Sequence, residues 1–291
     1  IDWNEIKLHT PDKLGLNTWD NIPLDLIADH IDWSPFFWTW EIKGTYPKIL
    51  ENPKYAQEAT KLFKDAQVIL RDIIKNKRFR ARAVWGLWPA NSIGDDVVLY
   101  KDENRKEVLQ TFHFLRQQKE QKSGQYKSLA DFVAPKEYKD YSGGFVVTMG
   151  KEVELYAKEF SDQGDDYTSI MIKALGDRMA EALAEMLHKK VRDNWGFGLT
   201  ENLSREDIIK EKYRGVRPAP GYPACPDHTE KGLLWELLDA KEKVGAILTE
   251  NFAMYPASSV SGFYMQYPDS KYFNLGKIDS DQLIEYAKKK D

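Results

Sequence analysis

Residues 217–228, RPAPGYPACPDH, crowd four prolines, a glycine and the chain's single cysteine into twelve positions. Each proline fixes φ and lacks an N–H, and each residue before a proline is pushed to extended geometry. The segment is therefore neither a long helix nor a central strand. It predicts a stiff loop whose carbonyls, and the amides of Ala219, Gly221, Tyr222, Ala224 and Cys225, have no ladder to join. Buried groups of this kind need partners. A small molecule can be that partner, and prior stiffness lowers the ordering cost of binding it. Gly221 allows close backbone approach, Arg217 offers a planar fork suited to a carboxylate, and Tyr222 adds a ring and a hydroxyl. The residues alone equally allow a structural crossover with Arg217 in an internal ion pair.

Several function classes are excluded or disfavoured. The chain is 42% hydrophobic and 30% charged, ordinary for a globular protein. Its net charge of −4 gives no polyanion-binding signal, and one cysteine rules out an intrachain disulfide framework. Cys225 and His228 resemble half a zinc site, but the other half is missing, so Cys225 reads as a buried inert thiol. No glycine-rich nucleotide cradle, P-loop or G-x-S-x-G elbow is present. The five basic residues within 75–82 read as a helix end and strand edge rather than a nucleic-acid surface. No stretch approaches the roughly 20 apolar residues of a membrane span, and the first residues lack a signal-peptide pattern. The expectation is a cytoplasmic protein with neither nucleic acid nor membrane as partner. The start without methionine suggests a domain cut from a longer polypeptide, with residues 1–291 forming a single domain.

Apolar periodicity predicts helices over 23–31, 53–75, 167–191 and 232–244, and a final helix from Asp279. Asn52 and Pro53 suit the start of the second, and Ile170 belongs to the predicted apolar stripe of the third. Ser204, with Asp207, is expected to cap a short helix reaching Lys212. Strands are expected at 81–87, 97–100, 108–115 and 144–149, with 88–96 a loop. Residues 260–267 and 272–278 read as a hairpin closed by Pro268-Asp269-Ser270. Strand pairs at short turns with blocks of helices predict an α+β fold with a largely antiparallel sheet.

The loop also carries a resemblance. Arg217-Pro218-Ala219-Pro220-Gly221-Tyr222-Pro223-Ala224-Cys225-Pro226 is similar to the R-x-x-x-G-Y-P-A-C motif of the activation domain of cobalamin-dependent methionine synthase. Further matching stretches are Ile31-Asp32-Trp33-Ser34-Pro35-Phe36-Phe37, Ala130-Asp131-Phe132-Val133-Ala134-Pro135, Tyr255-Pro256-Ala257-Ser258-Ser259-Val260-Ser261-Gly262 and Pro268-Asp269-Ser270-Lys271-Tyr272-Phe273. They occur in order across nearly the whole chain. The resemblance implies a bent antiparallel sheet and a groove for S-adenosylmethionine. It implies reactivation of cobalamin oxidised to cob(II)alamin, by a methyl from S-adenosylmethionine and an electron from a flavodoxin-type donor. The cobalamin-binding domain would be the docking partner, holding the cofactor.

Carried over by motif, Asp32 would hold the ligand's ammonium and Arg217 its carboxylate. Main-chain groups at Ala219, Gly221, Tyr222 and Ala224 would read the adenosyl part, with Tyr272 and Phe273 lining the groove. Tyr222 would also face the corrin. Glu211 and Glu181 are weaker candidates for charge near the sulfonium; a solvated helix face suits both and is the preferred reading for Glu181. His228 suits either the docked corrin domain or a local bond to the loop. A free-standing S-adenosylmethionine-dependent methyltransferase for a small molecule is the alternative reading, and a structural docking module a third.

Overall fold

In the computed structural model, which describes residues 1–119 and 124–290, one antiparallel sheet separates two hydrophobic cores. The strands are β1 (Gly15–Trp19), β2 (Arg82–Ile93), β3 (Asp96–Tyr100), β4 (Val108–His113) and β5 (Asp140–Thr148). After the two-residue pair β6 (Ile247–Leu248) and β7 (Met254–Tyr255) comes β8 (Ser259–Met265). The sheet runs β4-β3-β2-β5-β8, and β1 shares the β3 flank of β2. It is not closed into a barrel.

The helices are α1 (Leu24–Ala28), α2 (Ser34–Thr39), α3 (Ala56–Lys75), α4 (Glu152–Ser161), α5 (Asp166–Asn194), α6 (Arg205–Ile209), α7 (Glu230–Leu238), α8 (Ala240–Val244) and α9 (Ser280–Lys290). Helices α1 to α5 bury their apolar sides against one face of the sheet; α7, α8 and the turn Leu129–Phe132 cover the other. Ala83, Trp85 and Leu87 enter the first core, while Val84 and Ala90 enter the second. Both faces being covered, alternation of polar and apolar residues disappears; every residue of β5 is buried.

The α+β expectation holds, and α3, α5 and α9 lie where the periodicity puts them. Four readings are corrected. Residues 88–96 are not a loop, because β2 continues to Ile93. Pro89 faces Tyr141 of β5 at the gap between the β1 and β3 ladders, which end at Leu87 and begin at Ala90. A missing N–H breaks no ladder bond on that flank. Residues 272–278 do not return as a strand. The outer edge of β8 is taken instead by the proline loop: Val216 exchanges two bonds with Met265 (3.0 and 3.2 Å), and Phe263 N–H donates to Pro218 O (2.8 Å). The 232–244 helix is two helices, broken where Asp239 takes a left-handed φ of 49°. Ile170 is 49% exposed and outside the core.

Other boundaries shift for local reasons. Asn52 caps a turn rather than the helix itself, accepting from Lys54 N–H (2.9 Å), and α3 proper starts at Ala56. Strand β5 starts at Asp140, earlier than its β-branched run suggests. The Ser204–Asp207 capping box forms as read, on a helix ending at Ile209. Strand β1 and helices α2 and α4 are additions; the buried Val153, Tyr156 and Ala157 of α4 were a legible period.

Asp140 ties the N-terminal arm to the sheet. Its carboxylate accepts from Ala134 N–H (2.8 Å), Tyr141 N–H (2.7 Å) and Gln266 Nε2 (2.7 Å), and Gln266 also donates to His9 O (3.0 Å). Burial pushes its pKa up to about 6, against the opposing pull of those donors and Arg105. The folded state therefore holds the proton more tightly than the unfolded chain. The resulting stabilisation is present at low pH and is lost as pH rises through about 6. From pH ~6.5 down to ~4.5, the wild type should gain about 2 kcal/mol relative to Asp140→Asn. Urea unfolding of both proteins across that range checks this; parallel pH profiles would refute it.

Candidate functional site

The proline loop forms a wall because its bonding is used inward. Gly221 N–H donates to Cys225 O (2.7 Å), Cys225 N–H to Tyr222 O (2.8 Å) and Tyr222 N–H to Ala219 O (3.3 Å). Gly221 has φ +97°, and a Cβ there would lie 2.4 Å from the His228 ring. The glycine thus admits the imidazole, whose Nδ1 lies 2.8 Å from Lys231 Nζ. Cys225 is buried in the second core, and burial pushes its thiol pKa up. Ala219 and Ala224, whose amides take no part in these bonds, line the cavity in front of the wall.

The chain after the 268–270 turn closes the far side. Leu275 N–H donates to Pro223 O (3.0 Å), Tyr272 Oη accepts from Arg217 N–H (3.3 Å), and Phe273 packs edge-on to Phe132. Between these walls and Phe145 of β5 lies a cavity of about 540 Å³. A second lobe of about 350 Å³ shares Glu181, Glu211 and Arg217 with it and adds Asp32, Arg178 and Arg205. Both volumes suit a small organic ligand. The first lobe is walled mostly by apolar and aromatic side chains, the second mostly by charged ones.

The predicted residues converge on this groove. Arg217, Ala219, Tyr222, Ala224, Tyr272, Phe273 and Glu211 line the first lobe, and Asp32 the second. Gly221 lies behind them, bordering a smaller pocket with His228. Glu181 touches all three spaces and is not a merely solvated helix face. Asp32 is half-buried and accepts from Ser34 N–H (3.0 Å) at the start of α2. The helix terminus gives its carboxylate a local partner among the surrounding aromatics. Glu211 sits at a left-handed φ of 53°. Desolvation pushes its pKa up, with Arg217 opposing and Glu185 adding to the shift.

Arg217 is held from behind. Its Nη1 meets Glu185 Oε2 (2.8 Å), Tyr213 Oη (2.6 Å) and His188 Nδ1 (3.3 Å). Burial is the largest influence and disfavours its charge, but Glu185, Tyr213, Tyr272 and Glu181 together outweigh it, so the guanidinium pKa rises. Burial and then the two guanidiniums of Arg192 and Arg217 push His188 well below its ordinary pKa. The imidazole is neutral, and its Nδ1 accepts from Arg217. Sequence reading missed Glu185, His188 and Arg192. Their signal was present: Glu181, Glu185, His188 and Arg192 recur at helical spacing along one side of α5.

A stiff backbone wall, a charge-rich lobe and a largely apolar lobe define a small-molecule-binding α+β domain. The sequence profile described as vitamin B12 dependent methionine synthase, activation domain, matches residues 23–291. A crystal structure of the MetH reactivation domain bound to AdoHcy is 47% identical, with a TM-score of 0.96. The match covers all of this chain and 90% of that one. The chain belongs to the activation-domain family of vitamin B12-dependent methionine synthase, a methyltransferase.

Proposed function

We propose that residues 1–291 act as one cytoplasmic domain that binds S-adenosylmethionine in the two-lobed groove and presents its methyl group to cobalamin held by another domain of the enzyme. The observation that carries this reading is the placing of Asp32 in the charged lobe and of Arg217 where the two lobes meet, beside the proline wall. Opposite charges across one groove suit the ammonium and carboxylate of an amino-acid arm. The MetH reactivation domain at 47% identity is bound to AdoHcy, which carries the same arm.

In this reading Asp32 holds the ammonium and Arg217 the carboxylate. Ala219 and Ala224 offer main-chain groups to the adenosyl part, Gly221 and Tyr222 shape the turn behind them, and Tyr272 and Phe273 close over it. Glu211, with Glu181, supplies negative charge near the sulfonium. Tyr222, 61% exposed, meets the docked corrin. Cobalamin supplies the methyl acceptor, chemistry that belongs to the cofactor. A methyl sulfonium is already activated, so the protein's residues need only align it and exclude water; orientation alone supplies several kcal/mol. The electron comes from a flavodoxin-type donor.

Titration calorimetry tests this. The chain should bind S-adenosylmethionine at one site, and the same preparation should form no methionine from homocysteine and methyltetrahydrofolate on its own. Absence of binding would overturn the reading, as would methionine synthesis by the isolated chain.

A further inference from the structure

We infer that Glu185 is a positioning residue, which sets the guanidinium of Arg217 so that its unoccupied edge faces the ligand carboxylate. The inference rests on the groove being the S-adenosylmethionine site and adds to it a residue that borders the charged lobe and acts through Arg217.

All three side-chain contacts of the Arg217 fork converge on one nitrogen, Nη1: Glu185 at 2.8 Å, Tyr213 at 2.6 Å and His188 at 3.3 Å. Nε and Nη2 make no bond among the described residues, and neither is a buried orphan. One corner of a planar fork is thus pinned, and the remaining donors are left for a bidentate partner. Arginine reaches the groove on a long stem with several rotatable bonds, so an unpinned guanidinium would lose more freedom on gripping a carboxylate.

Glu185 is the charged member of the pin. It projects from α5 one turn beyond Glu181, borders the charged lobe as Glu181 does, and its side chain is only 15% exposed. Its second oxygen lies 3.9 Å from Arg192 Nη1, so one carboxylate stands between two guanidiniums. Glu201 takes the Nε of Arg192 (2.9 Å), which keeps that arginine from competing fully for Glu185. Neutral His188 accepts from Arg217 and cannot replace the missing charge. Tyr213 adds direction without charge.

The test compares S-adenosylmethionine with decarboxylated S-adenosylmethionine, which retains the sulfonium and ammonium but has no carboxylate. Glu185→Gln should weaken S-adenosylmethionine binding by roughly 10-fold or more, a loss of one charge-assisted contact. It should leave affinity for the decarboxylated ligand within about 2-fold, since that ligand makes no demand on the fork. A merely structural role would weaken both ligands alike and would overturn the assignment, as would unchanged affinity for both. Tyr213→Phe, which removes only the hydroxyl at the same corner, should give a smaller loss with the same selectivity, and it carries the test if Glu185→Gln fails to fold. Arg217→Met separates the two layers of inference. Selective loss there with none in Glu185→Gln sinks only the Glu185 role; no loss in Arg217→Met sinks the carboxylate reading itself.

Discussion

Replacing Arg217 with methionine should cost roughly 100-fold or more in S-adenosylmethionine affinity and about 3–5 kcal/mol in stability. The two effects have one origin. The Arg217–Glu185 pair leaves each side chain only about 15% exposed (16% and 15%), so solvent screens it little. Without the guanidinium, Glu185 keeps only Arg192 at 3.9 Å, and its Oε1 has no hydrogen-bond partner among the described residues even in the intact protein. A buried carboxylate stripped of its cation is more costly than the absence of the whole pair. Glu185→Gln combined with Arg217→Met should therefore recover part of the lost stability while recovering none of the affinity. Urea unfolding and calorimetry on the two variants measure both quantities. Additive destabilisation in the double variant would show that the pair does not act as a unit.

Gly262→Val is expected to reach the site through the sheet. A Cβ at Gly262 would lie 2.8 Å from Pro218 O and 3.1 Å from Phe145 Cε1. Valine adds two further carbons at a point where the loop carbonyl has to stay close enough to accept from Phe263 N–H (2.8 Å). The proline-bearing segment has few alternative conformations, so it shifts as a block rather than adjusting locally. The cost should be on the order of 3 kcal/mol or more, the upper range for overpacking, and the displaced wall should lower S-adenosylmethionine affinity as well. Thermal unfolding with and without ligand measures both. A variant with wild-type affinity would show that the wall's seating on β8 does not matter for binding.

Much of the groove was legible because its residues cluster in sequence. Arg217, Ala219, Gly221, Tyr222 and Ala224 sit within eight positions, and the prolines among them declare a non-repetitive backbone. Tyr272 and Phe273 were legible only through the family motif. They were read as a strand beginning a hairpin arm, yet the Tyr272 hydroxyl reaches Arg217 N–H. The error at Pro89 has a related cause. Proline forbids a strand only where its N–H has a ladder partner, and the β1–β3 gap that removes the need for one depends on strands distant in sequence.

From its sequence alone this protein was bound to form α3 and α5, since a 3.6-residue apolar period has one good solution when a core is available. Its sequence likewise determined the stiffness of the loop and, through a long ordered set of motifs, its family. Only the tertiary structure decided what the outer edge of β8 pairs with, which face of α5 carries a buried ion pair, and which corner of the Arg217 fork is occupied. Period and backbone stiffness are properties of neighbouring residues, whereas an edge strand's partner and a guanidinium's counter-charge are chosen among groups far apart in the chain, by which of them the packed cores leave within hydrogen-bond reach.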